Sequence, residues 1–111
     1  MVPTSIELKN QESLDLLLES ELPVVVDFWA PDCMYCLPLG EIFDALSLIY
    51  EHKIVFGKVN CRESSIAAYK DFDVTSIPCI VAFKNKKEIN RLVGSHSEEI
   101  VKEFIDSIIS E

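Results

Sequence analysis

The run Pro23-Val-Val-Val-Asp-Phe-Trp29 constrains this chain more than any other segment. It is β-branched and aromatic, and nearly every position is apolar. A strand with one wet face alternates apolar and polar residues. A run without alternation reads as a strand buried on both faces, as in a central parallel strand. A chain of 111 residues can bury such a strand within one domain, residues 1–111, around one core.

The segments around it alternate in type, which predicts an α/β or α+β domain. Thr4–Lys9 places Ile6 and Leu8 at period two, a short strand. Asn10 can cap the helix that follows, with Glu12 near its positive end. Cys33–Tyr50 reads as a helix with Leu39, Ile42, Phe43, Leu46 and Ile49 on one stripe. Ile54–Asn60 is a strand and Ser64–Phe72 a shorter helix. Cys79–Lys84 and Glu88–Val93 read as strands joined in a hairpin through Asn85-Lys86-Lys87. Gly94 breaks the chain, and Ser97 can cap a last helix with Ile100, Val101, Phe104, Ile105, Ile108 and Ile109 on one face. The predicted order is β-α-β-α-β-α-β-β-α.

Composition narrows the function. Hydrophobic residues make up 49% of the chain, and net charge is −9 from 10 basic and 19 acidic residues. Such a surface repels phosphate backbones and anionic membranes, so neither nucleic acid nor a membrane is an expected partner. The start, MVPTSIELKNQES, has no basic n-region or apolar h-region, and no apolar run approaches a membrane span. The expected location is therefore the cytoplasm, where thiols are kept reduced. There a close cysteine pair reads as redox-active or metal-binding rather than as a permanent staple.

That pair is Cys33-Met34-Tyr35-Cys36, directly after the buried strand and at the mouth of a helix. Two cysteines three apart can close a small disulfide ring. The first lies beside free backbone N–H groups and the positive end of the helix dipole, both of which favour thiolate over thiol. The thiolate is the nucleophile in disulfide exchange. The second, more buried, can attack the resulting mixed disulfide from within.

Val25-Val-Asp-Phe-Trp-Ala-Pro-Asp-Cys-Met-Tyr-Cys36 resembles the active-site segment of thioredoxins and of the catalytic domains of protein disulfide isomerases. Lys58-Val-Asn-Cys61, Val74-Thr-Ser-Ile-Pro-Cys79 and Val93-Gly94 resemble further anchors of the thioredoxin family, in the same order. The resemblance implies a three-layer α/β/α thioredoxin fold with a mixed central sheet, and a protein-disulfide reductase needing no bound cofactor. Cys33 would attack and Cys36 resolve. Asp27 would be a buried carboxylate beneath the pair, its pKa raised so that it can take the Cys36 proton, and Lys58 would be its partner. Trp29 would pack beside the dithiol loop. Pro78 would form a cis bond with Ile77 facing Cys33, leaving the Ile77 backbone to pair with an extended target strand. Met34, Tyr35 and Gly94 complete the expected target-binding set. The implied partners are disulfide-bearing proteins, with a thioredoxin reductase or a small thiol to recharge the dithiol, and the expected state is a monomer.

The chain departs from the family pattern in several places. Met34-Tyr35 replaces the usual Gly-Pro or Gly-His, and a tyrosine before the second cysteine is similar to glutaredoxins. Asp32 stands where thioredoxins usually carry tryptophan. A carboxylate there should repel the thiolate and, as an N-cap, take up the N–H groups that would stabilise it. This predicts a less acidic Cys33 and a more reducing pair than in an Asp32→Trp variant. Leu37 replaces a common basic residue, Pro38 comes early in the helix, and Lys86 or Lys87 replaces the hairpin glycine.

Three rival readings follow. A glutaredoxin-like enzyme would be recharged by glutathione. A metal or iron–sulfur protein would use all four cysteines, although Cys61 and Cys79 lack paired spacing. A redox-inert adaptor would keep only the fold. Cys61 and Cys79 read as small buried hydrophobes, and His52 and His96 as surface residues without a ligand set.

Overall fold

The computed structural model describes residues 5–110. Its elements are β1 (Ile6–Glu7), α1 (Gln11–Leu18), β2 (Val24–Trp29), α2 (Cys36–Ile49), β3 (Val55–Asn60), α3 (Ala68–Phe72), β4 (Cys79–Lys84), β5 (Lys87–Val93) and α4 (Glu98–Ile109). This is the predicted order. Thr4, expected in the first strand, lies outside the described residues.

The strands form one mixed sheet in the order β1-β3-β2-β4-β5. β2 is central, as its composition requires. It pairs in parallel with β3, Val24 opposite Val55 through Trp29 opposite Asn60, and antiparallel with β4. β1 is parallel to β3, and β5 antiparallel to β4.

Alternation along β2 divides the core. Val24, Val26 and Phe28 face Leu14 and Leu18 of α1 and Phe72 of α3. Val25 faces the other layer, with Leu39, Phe43 and Leu46 of α2 and Val101, Phe104, Ile105 and Ile108 of α4. Period two therefore turns Asp27, two residues after Val25, toward α2. Each buried aliphatic or aromatic side chain here contributes about 1.5–3 kcal/mol relative to exposure. Gly57 lets α1 approach the sheet: a Cβ there would stand 2.7 Å from Leu17 Cδ2 and 2.9 Å from Leu8 Cδ1.

The helix boundaries follow local chemistry. Asn10 caps α1 through a bond accepted from the Ser13 N–H, and Ser97 caps α4 by accepting from Ile100. α3 is shorter than the expected Ser64–Phe72. The Ser64 hydroxyl accepts from the Ile66 N–H, and Ser65 N–H donates to Lys9 O, so these residues bond elsewhere than in a helix. α2 likewise begins at Cys36 rather than Cys33.

The stripe on α2 needs one correction. Ile49 is 68% exposed. The inward row runs Leu39, Phe43, Leu46 and then Tyr50, whose ring is buried and whose hydroxyl donates to Asp106 Oδ1 at 2.6 Å. At 3.6 residues per turn, position 50 continues the row and position 49 leaves it. Ile100 is similarly half outside, at 43% exposure.

The β4–β5 hairpin closes on two residues, Asn85 and Lys86, with Lys84 opposite Lys87. Both have positive φ, 53° and 68°. A two-residue turn of this hand matches the twist of the strands but favours glycine at its second position. Lys86→Gly should therefore raise stability by about 1 kcal/mol, by removing the left-handed cost of a side chain. Urea unfolding measures this, and an unchanged or lower midpoint would contradict it.

Candidate active site

After β2 the chain turns on itself before α2 starts. Cys33 N–H donates to Ala30 O at 3.1 Å, and Cys36 N–H to Cys33 O at 3.1 Å. Pro38 is the third residue of α2, where a backbone N–H would have no helical partner, so its missing donor costs little.

This turn presents the two sulfurs unequally. Cys33 and Cys36 form a disulfide, with Cα atoms 5.3 Å apart. Cys36 is 1% exposed, whereas Cys33 is only half-buried. Cys33 Sγ lies 3.9 Å from the carbonyl oxygen of Ile77. The Ile77–Pro78 bond is cis, as expected. Pro78 O accepts from the Gly94 N–H at 2.8 Å, which ties the proline loop to the end of β5. Gly94 has φ +92°, a backbone that side chains avoid. Met34 and Tyr35 stand out at the rim, 78% and 68% exposed.

On β2, turned toward the α2 layer, Asp27 is fully buried, and among the described residues neither of its oxygens has a hydrogen-bond partner. Burial pushes its carboxyl up to about 7; Lys58 pulls the other way, while Asp44 and Glu7 add to the rise. Lys58 lies opposite Asp27 in the β2–β3 register. The expected Asp27–Lys58 partnership is nevertheless not an ion pair. The Lys58 ammonium sits 3.4 Å from Asp44 Oδ1 and Oδ2, and 5.1 Å from the centre of the Trp29 ring. Asp44 is only partly buried, so pairing there costs less desolvation than pairing with a fully buried carboxylate. Lys58 acts on Asp27 through space alone. Among the described residues the buried Trp29 indole nitrogen makes no hydrogen bond of good geometry. Trp29, Cys36, Gly40, Asp44 and Lys58 line one groove of about 360 Å³, so the Lys58–Asp44 pair opens to solvent next to the residue that carries the hidden sulfur.

Asp32 is also corrected. It does not cap the helix: the residue before α2 is Tyr35, which makes no side-chain cap bond. The Asp32 carboxylate instead receives Arg62 Nε at 2.9 Å and Nη2 at 3.1 Å. Arg62 holds that carboxyl below its usual range, so it stays charged within the pair. Asp32 thus supplies no helix cap, and its charge is shared with an exposed guanidinium.

Cys61 is half-buried and Cys79 buried, and burial pushes both thiols up, away from reactive thiolate. Among the described residues, no three His, Cys, Asp or Glu side chains are grouped to hold a metal. His52 lies on the surface beside Glu51, and His96 Nε2 is 2.8 Å from Val93 O. Sequence reasoning missed Asp44, Glu7 and Arg62. Asp44 could have been found as a carboxylate eight residues after Cys36 beside the apolar stripe. Arg62, 30 residues from its partner, left no local signal.

One reachable sulfur bonded to one hidden sulfur suits electron exchange with other disulfides, and it places the chain among thiol–disulfide oxidoreductases. Comparison with known proteins agrees. The thioredoxin family model matches residues 4–107. The chain is 34% identical over 105 residues to a thioredoxin of Buchnera aphidicola from Acyrthosiphon pisum, covering 95% of this chain and 96% of that one. It is 35% identical to the chloroplastic thioredoxin M-type of Pisum sativum, over 94% of this chain and 60% of that protein. The crystal structure of Malassezia sympodialis thioredoxin, Mala s 13, superposes with a TM-score of 0.86 at 25% identity, covering 98% and 96% of the two chains. The chain belongs to the thioredoxin family.

The buried Asp27 makes stability depend on pH with a definite sign. At pH 3 its carboxyl is protonated in folded and unfolded chains alike. As pH rises from the ordinary value of 3.8 to about 7, the unfolded chain releases the proton and the folded chain keeps it, so stability falls. Above that range the loss is constant. Asp27→Asn should therefore stabilise the oxidised protein at pH 8 by up to about 4 kcal/mol and add nothing at pH 3. Denaturant unfolding across this range tests it; a gain that does not vary with pH would refute it.

Proposed function

We propose that this chain is a protein-disulfide reductase in which Cys33 attacks the target and Cys36 resolves the intermediate. The unequal exposure of the two sulfurs carries this reading: only Cys33 can be reached from outside. The Cys33 thiolate attacks one sulfur of a target disulfide. An S–S bond forms between Cys33 and the target, and the other target sulfur leaves as a thiolate. Cys36 then gives its proton to the Asp27 carboxylate and attacks Cys33 Sγ. The second target sulfur leaves, and Cys33–Cys36 is again a disulfide. Two electrons pass to the target, whose sulfurs are protonated from solvent. A carboxyl near 7 suits this step, because it can take up and return a proton at neutral pH.

The remaining residues serve this exchange. The Ile77 backbone beside Pro78 pairs with an extended target segment. Met34 and Tyr35 supply exposed apolar contact, Trp29 packs beneath the loop, and Gly94 anchors the proline loop. Lys58, held by Asp44, lowers the cost of charging Asp27. The dithiol is recharged by a thioredoxin reductase or a small thiol and needs no bound cofactor. The protein works as a monomer in the cytoplasm, where a reducing thiol pool favours the reductant direction. Among the described residues no helix is long and apolar enough to cross a membrane.

Insulin reduction in dithiothreitol tests the proposal. Wild type should accelerate it, Cys33→Ser should match dithiothreitol alone, and Cys36→Ser should accumulate a mixed disulfide on Cys33. Equal acceleration by wild type and Cys33→Ser would overturn the assignment.

A further inference from the structure

Ile77 borders two features. Its carbonyl faces Cys33, and the residue helps to line a groove of about 490 Å³ between the proline loop and α3. The floor includes Ile66 and Val74, both nearly buried, and Tyr69 stands at its wall, 71% exposed. Two cations, Arg62 and Lys70, also line it, and among the described residues no Asp or Glu does. This is unlike the chain as a whole, in which acidic residues outnumber basic ones by 19 to 10.

Arg62 links this groove to the dithiol. Its Nε and Nη2 are taken by Asp32, the residue before Cys33, and among the described residues its Nη1 makes no hydrogen bond. Both side chains are more than half exposed, so the pair is worth little in water and can be exchanged for another partner. A second carboxylate arriving at the groove would meet the free side of a guanidinium, with an ammonium nearby. Paired with a guanidinium, a carboxylate makes charge-assisted, geometrically specific hydrogen bonds.

We propose that this groove selects target segments that carry carboxylates beside the disulfide cysteine, read by Arg62 with Lys70 in support, while Asp32 competes as an internal stand-in for the target carboxylate. The proposal rests on the disulfide-reductase reading and adds the chemical class of its preferred target. Continuity supports it, because Ile77, whose backbone would pair with the target, also borders the groove. So does charge, because a contact preference for acid here opposes the long-range field of the acidic chain. At physiological salt that field is screened beyond about 8 Å, and contact chemistry decides.

The test uses three short peptides with the same intramolecular disulfide, flanked by Asp, Asn or Lys, with kcat/KM measured at physiological salt. Wild type should reduce the Asp peptide about tenfold faster than the Lys peptide, the discrimination typical of one charge-assisted contact. Arg62→Gln should bring that ratio close to one. Asp32→Asn, which frees the guanidinium, should raise it severalfold, an effect that a structural role alone would not produce. Equal rates for the three peptides in wild type, a preference for the Lys peptide, or an Asp32→Asn ratio no greater than that of wild type would overturn the selection. Failure of wild type to reduce even the Asn peptide would instead overturn the underlying reductase reading.

Discussion

Hydrogen bonding on both edges and burial on both faces make β2 the element on which the rest depends. A strand in that position has no wet side, and Val24, Val25, Val26 and Phe28 meet this demand without exception. Asp27 breaks the pattern. Its backbone pairs with Lys58 on one side and Ile80 on the other, while its side chain lies in the α2 layer with no hydrogen-bond partner. Stability alone would remove this charge. In the proposed exchange it serves as a proton site whose affinity is set by the core itself.

The same sheet that buries Asp27 also sorts the sulfurs. β2 ends at Trp29, the chain turns through Ala30–Asp32, and α2 begins with Cys36 already inside the core. Cys33 therefore stays at the surface within the same short turn. Its facing partner, the Ile77 carbonyl, comes from the loop that leads into β4, the other neighbour of β2. The end of β2 and the start of β4 thus meet at one end of the sheet, and the site is assembled from the loops there rather than from any one element.

Charge around the site is arranged in two separate pairs. Lys58–Asp44 lines the groove that Cys36 borders, and Arg62–Asp32 holds the residue next to Cys33. The first leaves Asp27 unpaired and so keeps its proton affinity high. The second ties Asp32, the residue before Cys33, to Arg62 from beyond the end of β3. Each pair joins segments distant in sequence, and each changes the meaning of a residue judged from its neighbours alone.

Much of the architecture was legible from local pattern. Unbroken apolarity identified β2, spacing identified the α4 face, and Asn10 and Ser97 announced their helices through chemistry confined to one turn. The dithiol, the cis-proline and the buried carboxylate were legible by resemblance, because their anchors keep their order along the chain. The errors arose where one turn of helix or a competing side chain decided the outcome: Ile49 against Tyr50, the Ser64 hydroxyl against α3, and the start of α2. The partners of Lys58 and Asp32 belonged to tertiary structure alone. An ion pair across 14 or 30 residues depends on which strand ends the sheet brings together and how deeply each charge is buried. Sequence determines which side chains can bear charge; the packed sheet decides which charges meet.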